Sequence, residues 1–248
     1  MRQVLPVLGA PIDVVTPHEA AARIAGWAQQ RDGRYVCICN VHSVVTASRD
    51  AAFAQVLAGA DLATPDGAPV AWLLRRLGAA GQSRVAGPDL MLEVCALAAA
   101  SGEAIYLLGS TAETLAALTQ KLRERWPALH IAGSHSPPFR ALTAAEDEAV
   151  VQAINASGAG IVWVSLGCPK QERWMAEHRG RVQAVMVGVG AAFDFHAGTI
   201  RRAPSWMRDH GLEWLHRLWS EPRRLAGRYL VTNTLFIAGV AKQLLTRR

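Results

Sequence analysis

The sequence predicts an α/β protein, a doubly wound and mostly parallel Rossmann-like sheet carrying a C-terminal amphipathic helical appendage. Short apolar runs of strand length alternate with longer helical patterns along most of the 248 residues. The runs are continuous and rich in β-branched residues, as in Ile161–Leu166 (IVWVSL), the mark of strands buried on both faces. A hydrophobic content of 51% is enough for one large domain with a sizeable core. No repeat or low-complexity segment interrupts the pattern. The main domain is expected over residues 1–204 and the appendage over residues 205–248.

Taken in order, Leu5–Val15 reads as a short β element with a Gly-Ala-Pro turn. Thr16 is placed to cap a helix from Pro17 to Gln30, with Pro17 at its first position and Glu19 at its third. Tyr35–Cys39 is a strand ending at Asn40, and Val44–Gly59 reads as one helix. Ala60–Ala63 leads into the Thr64-Pro65-Asp66-Gly67 turn and a helix over Val70–Leu77. Gly87-Pro88-Asp89 opens the helix Leu90–Ala100, and Ala104–Leu108 is the next strand. Ser110 or Thr111 caps a helix over Glu113–Arg125. His130–Gly133 reads as strand, Ser134–Phe139 as loop and Ala144–Ala156 as helix. Ile161–Leu166 is the central strand. Gly167-Cys168-Pro169 breaks it, and a helix starts in the Lys170–Met175 stretch. Ala184–Val189 is the last strand of the sheet, followed by Gly190.

The tail has two helical pieces. Ser205–Trp219 puts Leu212, Leu215, Leu218 and Trp219 on one stripe, with Trp206 and Trp214 near it. Pro222 then restarts a helix. Arg217, Arg224 and Arg228, seven and four residues apart, share one face if the helix is nearly continuous. Leu230–Ala241 is apolar but too short to span a bilayer, and with Lys242, Arg247 and Arg248 behind it reads as interfacial.

Charge is unevenly placed. Residues 201–248 hold ten Lys/Arg and three Asp/Glu, while the first 200 residues are close to neutral. Such a tail suits nucleic acid, an anionic membrane surface or a phosphate-rich substrate. The four cysteines (Cys37, Cys39, Cys95, Cys168) show neither CxxC pairing nor zinc-finger spacing; Cys37 and Cys39, in a strand-like run, are expected to be buried structural thiols, and a reducing cytosol fits. The N-terminus is too interrupted by prolines to read as a signal peptide.

In an open α/β sheet ligands gather at the carboxyl ends of the strands, so polar groups there are the candidates. Asp66 stands in a Pro-Asp-Gly turn from which a carboxylate can take a proton from an attacking hydroxyl; alone, Asp-Gly is only a turn signal. Asn40 can equally be a strand-terminating turn residue. Gly109 and Ser110 end a strand and open a helix, where backbone N–H groups can face a phosphate. Lys170, Gln171 and Glu172 begin another such helix; they suit phosphate, uracil or sugar hydroxyls, or they are a solvated first turn. Gly190 and Asp194 follow the last strand. The run GVGAAF lacks the third glycine of a dinucleotide fingerprint, which argues against a nicotinamide cofactor. Asp194 and His196 have no further ligands at useful spacing, and there is no Asp-x-Asp pair, GxSxG or P-loop.

The strand–GCPKQERW unit and the stretch Gly188–Leu230 (GVGAAFDFHAGTIRRAPSWMRDHGLEWLHRLWSEPRRLAGRYL) resemble the WecG/TagA/CpsF family of bacterial glycosyltransferases, from about Asn40 to Leu230. The resemblance implies transfer of a sugar from a UDP-activated donor to a polyprenyl-diphosphate-linked sugar. The transfer would invert the anomeric centre, need neither metal nor organic cofactor, and take place at the inner face of the bacterial cell membrane. It makes Asp66 the base, with Asn40 beside it. Without a metal the departing UDP must be stabilised by helix N-termini and cationic side chains, which directs attention to Arg217, Arg224 and Arg228 in the tail as catalytic candidates. Arg84 and Asp89 in RVAGPDL also match the family pattern and join Gly109, Ser110, Lys170, Gln171, Glu172, Gly190 and Asp194 as substrate-binding candidates; Asp89 alone reads as a helix cap. This chain has Ile38 where the family often has Thr, so a hydroxyl contact is missing there. The expected location is cytoplasmic and peripheral on an anionic membrane surface, with no nucleic-acid partner and self-association left open. N-acetylmannosamine, its uronic acid and glucose all remain open as the transferred sugar. The rivals are a soluble nucleotide-sugar enzyme without a lipid substrate and a nucleotide-binding, membrane-docking module without turnover.

Overall fold

The continuous apolar runs become parallel strands in the computed structural model, which describes residues 2–246 apart from the side chain of Arg224. Among these residues the main sheet has six strands: β3 (Tyr35–Cys39), β4 (Leu62–Pro65), β5 (Ile105–Gly109), β6 (Ile131–His135), β7 (Ile161–Ser165) and β8 (Val185–Gly188). Their order is β4-β3-β8-β7-β5-β6 and every pairing is parallel. Side chains alternate between two cores, as a period of two requires. Val162 and Val164 face one core with Phe53, Tyr106 and Met186; Ile161 and Trp163 face the other with Met91 and Phe193.

The helices cover both faces. Helices α1 (Pro17–Ala28), α5 (Gly87–Ser101), α6 (Ala112–Arg125) and α9 (Ala192–Ala197) bury residues in the Trp163 core. Helices α2 (Val41–Arg49), α3 (Ala51–Ala58), α4 (Ala68–Arg76), α7 (Ala144–Ala156) and α8 (Lys170–Glu177) pack into the other. Thr16 and Glu19 form the expected capping box, satisfying two otherwise orphaned N–H groups of α1. A hairpin of β1 (Val4–Val7) and β2 (Ala10–Asp13) lies beside β4. Its buried Asp13 is held by Arg2 (2.7 and 2.9 Å) and by the N–H of Ala63 (2.7 Å), so the charge is paired and hydrogen-bonded.

Three expected helices differ. Val44–Gly59 is two helices, α2 and α3, because the Asp50 carboxylate caps the Phe53 N–H (3.0 Å) in extended backbone and pairs with Arg173 (2.6 Å). Ser205–Trp219 is also two, α10 (Ser205–Asp209) and α11 (Glu213–Ser220). The break falls at Gly211 (φ 73°), where a Cβ would press to 2.7 Å from the Ala68 Cβ. Finally, Glu221 leaves helical geometry between α11 and α12 (Pro222–Thr246), so Arg217 does not continue the helix that carries Arg224 and Arg228. The side chain of Arg224 lies outside the described residues, as do Arg247 and Arg248.

Helix α12 runs unbroken through Thr232-Asn233-Thr234, whose threonine hydroxyls donate back to the carbonyls of Arg228 and Leu230. One side packs on α2 and the hairpin, burying Leu225, Phe236 and Val240. Gln243 clamps the β1–β2 turn by donating to the Pro6 carbonyl (2.6 Å) and accepting from the Leu8 N–H (2.9 Å). The opposite side carries Leu230, Val231, Ile237 and Leu245, all exposed. Helix α12 is thus apolar on both sides.

Candidate active site

Because the six strands are parallel, their carboxyl ends form one rim, and every candidate from the β–α turns lies along it. At one end are β3 and β4. Cys39 pairs with Pro65 in register and accepts from the Asp66 N–H (2.9 Å), which sets Asn40 and Asp66 side by side as the two strands end. Asn40 also caps α2, its Oδ1 accepting from the Ser43 N–H (3.2 Å). Asp66 is half-buried and its carboxyl is pushed up to about 6. Burial is the main cause and the nearby Glu213 adds to it, against the opposing pull of Arg84, the Gly67 N–H and Arg217.

The C-terminal segment forms the wall over this turn. The Val85 N–H donates to the Pro65 carbonyl (2.9 Å), and Gly211 meets Ala68, so the loop carrying Arg84 and the start of α11 flank Asp66 from two sides. An ion network joins them. Arg84 donates to Glu213 (2.8 Å); Arg202 donates to both oxygens of Asp89 (2.5 and 2.7 Å) and to Glu213 (3.2 Å). Arg208 approaches Asp89 at 3.5 Å. Asp89, in the first turn of α5, is held below the usual carboxylate range by these arginines, against its partial burial. Arg217 lies over the Phe195 ring (5.6 Å to its centroid). Arg228 is exposed near His42, whose imidazole is held below the usual range by burial and by that guanidinium.

The other half of the rim is tied by a chain of hydrogen bonds. Ser136 Oγ donates to the Ser110 carbonyl (2.7 Å), and the Ser110 N–H to the Ser165 carbonyl (3.2 Å). Ser165 Oγ donates to the Gly190 carbonyl (2.7 Å), and the Gly190 N–H to Gln171 Oε1 (3.2 Å). Gln171 Nε2 then donates to Glu172 (2.8 Å). Gly109 (φ 116°) is required here, since a Cβ would collide with the Ser165 carbonyl. Lys170 is exposed at the first position of α8, whereas Gln171 and Glu172 are buried. Desolvation raises the Glu172 carboxyl, and its Oε2 is unpartnered among the described residues. Asp194 sits in the first turn of α9 and its carbonyl accepts from Thr199 Oγ1 (3.1 Å). A cavity of about 800 Å³, lined by Ala112, Leu115, Thr119, Arg123, Ser134 and Ser136, flanks this half and does not reach Asp66.

The family model described as Glycosyl transferase WecG/TagA/CpsF family matches residues 5–248. The chain belongs to that family. As a WecG/TagA/CpsF protein it is a glycosyltransferase and works on a sugar donor and an acceptor. Asp66, Asn40, Arg84, Asp89 and Arg217 gather at the β3–β4 end of the rim, while Gly109, Ser110, Lys170, Gln171, Glu172, Gly190 and Asp194 follow β5, β7 and β8. From β4 to β5 is four strand spacings, about 19 Å, so the candidates spread along the rim rather than meeting at one point. Sequence reasoning missed Arg202, Arg208 and Glu213 in this transferase. Arg202 and Arg208 stand inside a stretch that carries the family resemblance, but partners more than a hundred positions away leave no local signal.

Proposed function

We propose that the protein transfers a hexose or N-acetylhexosamine from a UDP-sugar to a polyprenyl-diphosphate-linked sugar in bacterial surface polysaccharide or teichoic acid assembly. The carboxylate of Asp66 carries the reading: it is poised near neutral pH on the rim of a parallel sheet, under an arginine-rich wall. In this mechanism Asp66 takes the proton of the acceptor hydroxyl as that oxygen attacks the anomeric carbon. Attack comes from the face opposite UDP, so the configuration inverts in one step. Arg217 and Arg228, with helix N-termini along the rim, offset the negative charge that builds on the departing UDP.

The lipid acceptor brings the protein to a membrane face. Supporting this are the exposed Trp206, Trp214 and Trp219, the exposed apolar side of α12 and the basic balance of residues 201–248. No helix among the described residues is long and apolar enough to cross a membrane.

The direct test incubates the protein with a panel of UDP-sugars and a short-chain polyprenyl-diphosphate sugar, and follows UDP release and glycolipid product. One donor should be turned over with inversion, and EDTA should leave that rate within about twofold, since no group of three or more His, Cys, Asp or Glu is placed to hold a metal ion among the described residues. Rescue by Mn²⁺ or Mg²⁺ after chelation would overturn the metal-independent mechanism. UDP binding without any glycolipid product would favour a binding module.

Arg217 can be separated from docking. Arg217→Ala should lower turnover about tenfold or more while vesicle binding falls by no more than about fivefold, because one charge near an anionic surface contributes only about 1 kcal/mol. Proportional losses in both would make Arg217 a docking residue alone.

A further inference from the structure

A carboxylate that must act as a base is poorly served by an arginine paired to it, since such a pair stabilises the ionised form and lowers proton affinity. Arg84 stands next to Asp66, because its neighbour Val85 is hydrogen-bonded to Pro65. Yet the hydrogen bond described for its guanidinium goes to Glu213 (2.8 Å), and its other contact faces Asp89 at 3.9 Å. Glu213 is in turn fixed from the far side by Arg202 (3.2 Å), which grips Asp89 with two bonds. The side chains of Arg84, Arg202 and Glu213 are all under a fifth exposed, so this arrangement is built into the wall rather than draped over it.

We propose that Glu213 is a positioning residue for the transfer: it draws the Arg84 guanidinium away from Asp66 and leaves that carboxylate unpaired to receive the acceptor proton. The inference rests on the reading of Asp66 as the base. The charged groups facing Asp66 are Arg84 from the α4–α5 loop and Glu213 and Arg217 from α11, with the Gly67 N–H from its own turn. Those facing Glu213 are Arg84 and Arg202, with Asp89 of α5 and Arg208 of α10 completing the network. The proton affinity of Asp66 is raised first by burial; Arg84 pulls against this, and Glu213 offsets part of that pull.

The sequence offers a reason for the chain to return here from 129 positions away. Gly211 lets the start of α11 approach Ala68, one residue past the Asp66-Gly67 turn, and Glu213 follows two residues later. The wall thus supplies the counter-charge that keeps Arg84 off the base.

The test needs no substrate. Protein labelled with [¹³C]aspartate at the side-chain carboxyl is titrated by NMR, with the Asp66 signal assigned by its absence in Asp66→Asn. The wild-type midpoint is expected near 6, and Glu213→Gln should lower it by about one unit or more as Arg84 turns to Asp66. In an Arg84→Gln background the same Glu213→Gln change should move the midpoint by less than half as much. A purely structural Glu213 would lower the melting temperature and leave the midpoint in place, which overturns the proposal. If Glu213→Gln does not fold, Glu213→Asp is titrated instead, its carboxylate one methylene short of Arg84: a midpoint lowered by about half a unit or more supports the proposal, and one left near 6 overturns it. Failure of the base reading shows separately, as UDP-sugar turnover that survives in Asp66→Asn whatever the titration gives.

Discussion

Asp66→Asn should lose about 10²-fold or more of turnover while still binding UDP, because the change keeps size and turn propensity and removes only basicity. The pH dependence follows from the same carboxyl. With its proton held up to about 6, Asp66 is mostly ionised at pH 7 and still basic enough to accept a proton in the transition state. Turnover should fall on the acid side with a midpoint near 6, and near-normal turnover in Asp66→Asn would remove Asp66 from the mechanism. Stability moves the opposite way. The folded state binds this proton more tightly than the unfolded chain, whose aspartate titrates near 3.8, so the favourable contribution is complete below that value and is lost as pH rises through about 6. At pH 7 the ionised carboxylate costs on the order of 1–2 kcal/mol after allowance for solvent screening. Asp66→Asn should therefore melt a few degrees higher than the parent at pH 7, with the gain gone by pH 4. Calorimetry at the two pH values checks it, and an equal or larger gain at pH 4 would mean that burial of this carboxylate is not the cause.

The architecture was legible because its signals are local. A continuous run such as Ile161–Ser165, a cap such as Thr16 with Glu19, and an Asn40 closing a strand each declare themselves within a few residues, and the parallel sheet follows from their alternation. The rim followed too, since a parallel sheet puts every β–α turn on one side. The helix breaks at Asp50 and Gly211 each carry a local sign, an aspartate able to cap Phe53 and a glycine able to take positive φ, but such residues also occur inside helices. A pairing with Arg173 at one and a close approach to Ala68 at the other add tertiary support that local reading does not see. Gln171 and Glu172 illustrate the same limit. The first turn of a helix reads as solvated, yet both are buried, because Gln171 reaches back to hold the Gly190 N–H that follows a neighbouring strand. The five-residue ion network around Glu213 lies wholly beyond local reading, since it closes between residues 84–89 and 202–213.

The second large effect concerns α12, and its two sides should fail differently. Deleting residues 222–248 strips the cover from the surface that Leu225, Phe236 and Val240 bury and removes both Gln243 bonds to the hairpin. Three such side chains contribute on the order of 5 kcal/mol, comparable with the whole stability margin of a domain. The truncated chain should accordingly lose much of its cooperative unfolding, and its lost activity would say nothing about membranes. The exposed side permits a cleaner experiment. On α12 Leu230 is 73% exposed, Ile237 69% and Leu245 68%, and Trp219 at the end of α11 is 85% exposed, so replacing all four by Ser removes apolar surface that the folded protein does not use internally. Even partial insertion of these side chains into a headgroup layer is worth about 1 kcal/mol each or more. The fourfold variant should therefore bind vesicles containing anionic lipid about 10³-fold more weakly than the parent, with its melting temperature within a few degrees. Turnover of a long-chain polyprenyl acceptor presented in those vesicles should fall with it, while turnover of a short-chain acceptor in solution stays within about threefold. Unchanged vesicle sedimentation, or equal losses on both acceptors, would show that this apolar face serves something other than docking to lipid.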